Sequence, residues 1–285
     1  MPVWICLLSL LTSFWPGVDA RGAERRAVSV IVGDSLAKTD RPVTIEALLV
    51  EEGMLRQQGV GGEPLILWVD KVRAATAMTG GDGRAFFQYT PSKLGTFRVR
   101  VTVGDSPRVA NAEGTGTLAV WERRRPILLV EGAALFASAE TGITPALPLP
   151  LPLSVTVDKP AEHAVEELER LSQFYYHLLY VVPPGSSALN SVRQYREWLD
   201  QHKFPQGVVL PADLTVDGVR SLLERLRADG WENIKSGVGT TAAFAEALVA
   251  ERLTVVVINE DEKVKLPRKA RRAKEWKEAR KHLQE

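Results

Sequence analysis

Cysteine is almost absent: the 285 residues contain one, Cys6, and it falls in the apolar stretch that opens the chain. Downstream of it there is no thiol for a disulfide, a thiolate metal site or a cysteine nucleophile. Histidine is nearly as scarce, and His163, His177, His202 and His282 are too scattered to give a metal-ligand spacing. No metal site is read from them. Charge of one sign is missing too. The 36 Lys and Arg balance 35 Asp and Glu to a formal net charge of +1, so no global field draws the chain to nucleic acid, and specific nucleic-acid binding is not expected. Long hydrophobic runs are also lacking. The opening stretch holds an apolar run of about a dozen residues, short of the roughly 20 that a spanning helix needs. It ends in helix breakers and in Val18-x-Ala20, a small-residue cleavage pattern. Residues 1–20 are therefore read as a signal peptide, although no Lys or Arg precedes the run. The expected protein is secreted or periplasmic, and not transmembrane once cleaved.

What is present is ordinary globular material, 45% hydrophobic and 25% charged. The length suits two separate cores. Residues 27–121 read as an all-β unit: short segments rich in β-branched and aromatic residues (Ala27–Val32, Val43–Val50, Pro64–Val69) lie between turn signals. Gly80-Gly-Asp-Gly83 marks a hairpin leading into Arg84–Thr90. In Thr96–Val103, Phe97, Val99, Val101 and Val103 alternate with Arg98, Arg100 and Thr102, as a strand with one packed and one wet face requires. Asp70 and Asp82 are read as turn residues rather than calcium ligands. The run Thr79-Gly-Gly-Asp-Gly-Arg-Ala-Phe, with Pro91-x-x-x-Gly95-Thr-Phe-Arg-Val after it, resembles the end of bacterial immunoglobulin-like and carboxypeptidase-regulatory-like domains. That resemblance implies a structural or adhesive sandwich.

From residue 122 to 285 apolar strands alternate with helical periods, which implies a three-layer α/β domain with a parallel sheet. The first strand, Ile127–Val130, follows three arginines and stops at Glu131. Residues 144–153, with proline at every second position, read as an extended arm. Helices are expected over Ala161–Tyr176, with Val165, Leu168, Leu171 and Phe174 or Tyr175 inward, over Ser187–His202 with Ser187 as cap, over Val216–Asp229 and over Thr240–Arg252. Buried strands are expected at Leu178–Val182, Phe204–Leu210 and Leu253–Ile258. The tail Lys263–Lys281 carries ten basic residues against two Glu. It reads either as a surface for anionic lipid headgroups or as a solvated helix with Trp276 packed inward.

Leu179-Tyr-Val-Val, then a helix ending Tyr195-Arg-Glu-Trp-Leu, then Phe204-Pro-Gln-Gly-Val-Val-Leu, resembles the haloacid-dehalogenase (HAD) fold. Within it the segments look most like the catalytic domain of the actin-patch phosphatidate phosphatases, relatives of the lipin-type domain. An active member would carry D-x-D-x-T after the first strand, Ser after the second, a later Lys, and G-D-S with a further Asp. The resemblance places Glu131 at the nucleophile position, Ala133 at the acid, Val182 at the Ser and Lys235 near the Lys. Glu260 or Asp261 falls at the metal-binding place, and Lys265 at the second Asp. Glutamate sets its oxygens one methylene too far, alanine transfers no proton, valine gives phosphate no hydrogen bond, and lysine repels Mg²⁺. The resemblance thus implies a pseudo-phosphatase with a binding or structural role and no cofactor. The alternative is an active phosphatidate or phosphomonoester phosphatase that uses Mg²⁺ in an altered site. Lys235, Ser236, Thr240 and Thr241 are the anion-binding candidates, because backbone N–H groups at a helix start attract anions. Equally, Lys235 can belong to a plain loop, Thr240 or Thr241 to a helix cap, and Glu131 to an exposed acidic strand end. The partner is left open as an anionic ligand or lipid headgroup.

Overall fold

Short strands with alternating burial build the first half of the protein in the computed structural model, which describes residues 25–52, 57–137, 159–185, 187–258 and 265–284. The signal-peptide reading of residues 1–20, the proline-rich arm, and Glu260 and Asp261 lie outside those residues. Antiparallel pairing joins β1 (Val28–Val32), β3 (Val43–Glu52), β4 (Gln57–Gly59) and β7 (Arg84–Tyr89) into one sheet. The second sheet runs β2 (Ser35–Ala37), β9 (Glu113–Val120), β8 (Gly95–Val103), β5 (Pro64–Val69) and β6 (Val72–Met78), antiparallel except where β2 joins β9. Val99, Val101, Leu65, Leu67, Ile45 and Phe87 close the core between the two sheets, and Arg98 and Arg100 point outward, as the alternation requires. At the hairpin, the amide of Gly83 donates to the Gly80 carbonyl at 2.9 Å and the Asp82 carboxylate accepts from the Arg84 amide at 3.1 Å. Gly83 sits at φ +80°, and an added Cβ would lie 2.4 Å from the Leu49 carbonyl oxygen, so only glycine fits.

The second half is a sheet of parallel strands in the order β12 (Val208–Pro211), β11 (His177–Val182), β10 (Ile127–Glu131), β13 (Ile234–Gly239), β14 (Thr254–Ile258) and β15 (Arg271–Ala273). The first strand in the chain is central, and the chain winds outward from it in both directions, the doubly wound arrangement. Within β10, Leu128 and Val130 face one core while Ile127 and Leu129 face the other. Helices α1 (Ala164–Phe174), α2 (Ala188–Gln201) and α5 (Trp276–Gln284) cover the first face; α3 (Val216–Ala228) and α4 (Ala242–Ala250) cover the second. Among the described residues no helix is long and apolar enough to cross a membrane.

Several expectations need correction. Phe174, the last residue of α1, and Tyr175, just past it, do not belong to its buried face; both are exposed. Ser187 stands at the N-cap of α2, but its side chain makes no capping hydrogen bond. The stretch Ile234–Gly239 is a central strand rather than a loop, because its glycines let α4 press onto it: a Cβ on Gly237 would meet Leu248 at 2.1 Å.

The two halves share packing. Ala119 and Trp121 of the first enter the core beneath α3 and α4. Leu189 of α2 packs against Ile31, Leu48 and Val50. Trp121 stacks on His177 with centroids 4.4 Å apart and planes 3° from parallel.

Candidate functional site

The carboxyl edge of a doubly wound sheet, beside the central strand, is where such folds bind ligands. Glu131 ends β10 there, with 0% relative exposure. Thr240 and Thr241 follow β13, the neighbour of β10, and Thr241 caps α4 by accepting from the Phe244 amide at 3.2 Å. Glu131 Oε2 accepts the Thr240 amide at 2.6 Å and the Thr241 amide at 3.0 Å, while its Oε1 accepts the Thr241 hydroxyl at 2.7 Å. A carboxylate lodged among the free amides at a helix start satisfies orphan donors and opposes the positive end of the helix dipole. Gly239 makes room for it, since a Cβ there would lie 2.5 Å from Oε2.

This geometry corrects two readings of Glu131 and the threonines. Glu131 is a buried internal cap, not an exposed acidic strand end. Thr240 and Thr241 spend the donors that would hold an external anion on Glu131. Val182 is fully buried at the end of β11, and a Cβ on Gly132 would lie 3.2 Å from it and 2.9 Å from the Tyr195 ring. Ala133 is exposed in the single 3₁₀ turn Gly132–Leu135. Glu131, Ala133, Val182, Thr240 and Thr241 thus gather at one edge.

Lys235 and Ser236 do not join them. Ile127 pairs with Ile234 and Leu128 with Ser236, which leaves Lys235 exposed at the irregularity between. It lies at the amino end of the sheet, about 13 Å along the strand direction from Glu131 at some 3.3 Å per residue. Ser236 is buried in the strand body. Among the described residues no group of three His, Cys, Asp or Glu gathers to hold a metal ion.

A separate concavity lies elsewhere. A cleft of about 850 Å³ runs between the β2–β3 turn and α3, lined by Lys38, Arg41, Arg123, Arg225, Leu210 and Trp231 among others. Beside it, Asp34 ties the halves together. Its Oδ1 accepts the Thr117 amide at 2.7 Å and the Arg196 guanidinium, and its Oδ2 accepts the Val209 amide at 2.9 Å. Arg196 also donates to the Thr115 carbonyl at 2.9 Å. Nothing in the sequence links Asp34 to Arg196, 162 residues away. Both were missed.

No family model and no curated protein matches the chain. Among solved structures, a CARDB domain from Pyrococcus furiosus is 18% identical over 33% of this chain and 86% of its own, with a TM-score of 0.25. Fibronectin(III)-like modules of CbhA from Clostridium thermocellum are 12% identical over 33% and 94%, at 0.24. A family 123 glycoside hydrolase from Clostridium perfringens is 7% identical over 83% of this chain and 65% of its own, at 0.22. At these scores the likenesses carry no argument about activity.

Proposed function

We propose that this is a secreted or periplasmic pseudo-phosphatase: an immunoglobulin-like domain joined to a HAD-like domain that resembles phosphatidate phosphatases in layout but turns over no phosphate ester. Its role is binding or architecture. One observation carries the reading: the carboxylate at the nucleophile position is buried and spent as the cap of α4. Ala133 and Val182 then supply neither the acid nor the phosphate hydrogen bond of the family. Purified protein with Mg²⁺ is expected to hydrolyse p-nitrophenyl phosphate and phosphatidate vesicles no faster than buffer. Magnesium-dependent turnover that disappears in Glu131→Ala would overturn the reading in favour of an active phosphatase. For the localisation, expression with the leader intact is expected to give exported protein that begins at Arg21.

A further inference from the structure

The interdomain cleft concentrates positive charge from three separate parts of the chain: Lys38 and Arg41 from the β2–β3 turn, Arg123 from the segment after β9, and Arg225 from the last turn of α3. Lys38 has a structural task. Its ammonium donates to the Asp229 carbonyl at the end of α3 and sits 5.1 Å above the Trp231 ring. Arg123 is brought to the same spot, since a Cβ on Gly230 would lie 2.6 Å from Lys38 Nζ and 3.3 Å from Arg123 Nη2. Among the described residues, Arg41, Arg123 and Arg225 have no carboxylate within ion-pair distance. Asp34 is taken up by Arg196 and two amides, which leaves Asp229, and Glu232 close to Lys38. Burial first, then the neighbouring Arg123, hold the Lys38 ammonium below the ordinary lysine range, with Asp229 and Glu232 acting the other way. The turn presenting Lys38 and Arg41 is braced, with the Asp40 amide donating to the Pro91 carbonyl at 2.8 Å. Several guanidinium groups lining one concavity of ligand size are what recognition of tetrahedral oxyanions needs.

We propose that this cleft binds a compact polyanion carrying at least two phosphate or sulfate ester groups, with Arg41, Arg123 and Arg225 as its contacts and Lys38 at its floor. The site is distinct from the sheet edge where Glu131 lies. It deepens the binding role proposed above and rests on that reading for its biological sense, though not for its chemistry.

Isothermal titration of the full chain with inorganic tripolyphosphate and, separately, with sucrose octasulfate tests it. At low salt, binding of at least one probe is expected, weakening as salt is raised. The double variant Arg41→Gln/Arg123→Gln should bind at least tenfold more weakly. Arg73→Gln, the loss of one charge on β6 outside the cleft, should change affinity less than twofold. Both arginines of the double variant are exposed, so an unchanged circular dichroism spectrum and melting temperature verify the fold. Preference for one probe identifies the ester class and supports the proposal. No binding of either probe by the wild type, or equal weakening by Arg73→Gln, overturns it. Binding followed by hydrolysis of tripolyphosphate would leave the cleft standing and overturn the non-catalytic reading instead.

Discussion

Glu131 shows how one buried side chain can tie a strand to the start of a helix. In Glu131→Gln the oxygen can keep both backbone amides only by turning the amide nitrogen toward the Thr241 hydroxyl, which loses its acceptor. An unsatisfied buried polar group of this kind costs about 3 kcal/mol, to be read as a lower urea midpoint with unchanged slope. Glu131→Asp should also destabilise, because the shorter side chain withdraws from the Thr240 and Thr241 amides, and no phosphatase activity should appear with it. His177 makes a prediction about pH. Burial, then the nearby Arg125 charge, push its imidazole down to about 4 from its ordinary value near 6.5. Between those values the unfolded chain binds a proton that the folded one refuses, so stability is full above pH 6.5 and falls as pH drops toward 4. The ring is partly exposed, so the loss is held to about 2 kcal/mol or less by solvent screening. His177→Phe, which keeps an aromatic ring against Trp121, should remove this part of the pH dependence of the urea midpoint.

At the scale of the element, the basic tail shows what charge counting leaves out. The helix α5 is docked: Trp276 Nε1 donates to the Ala134 carbonyl at 3.0 Å, Tyr176 donates its hydroxyl to the Leu283 carbonyl at 2.9 Å, and Arg280 pairs with the buried Glu167. Arg280→Ala strands that carboxylate with Arg170 alone, at 3.0 Å, and should cost about 3 kcal/mol, measured by thermal or urea unfolding. The strands and helices of the second half were largely legible, because a parallel sheet and its helices write continuous apolar runs and 3.6-residue periods into the chain. Six strands went unread, β2, β4, β6, β9, β13 and β15, and two of them show why. β6 is mostly exposed or half-exposed, with no clean alternation to read. β13 carries Gly237 and Gly239 where α4 and Glu131 approach, and glycine there looks like loop. The candidate site was legible only as a set of positions. Which of them converge depends on strand order, so Lys235 seemed a neighbour of Glu131 by motif yet stands at the opposite end of the sheet.

Across the whole molecule, the junction between the halves is a core in its own right, with apolar contacts at Ala119, Trp121 and Leu189 and the Asp34 and Arg196 pair between them. A single calorimetric unfolding transition is expected for the wild type. Asp34→Ala leaves the Thr117 and Val209 amides and Arg196 without their acceptor, a loss of about 3 kcal/mol. Because that loss falls at the junction, the endotherm should broaden or split into two. A single, equally sharp transition at a lower temperature would instead mean that Asp34 serves one half alone. None of these partners adjoins another in sequence, which is why nothing short of the folded arrangement reveals them.

The Glu131 cap also has a consequence for how the chain is made. The carboxylate and the amides that receive it are 109 and 110 residues apart, so on the ribosome the acid emerges long before its donors exist. Until Thr241 has cleared the exit tunnel, the nascent α/β half lacks the donors that receive this side chain. Products stalled or truncated before that residue should be rapid substrates for proteases, while chains extended past it gain resistance abruptly.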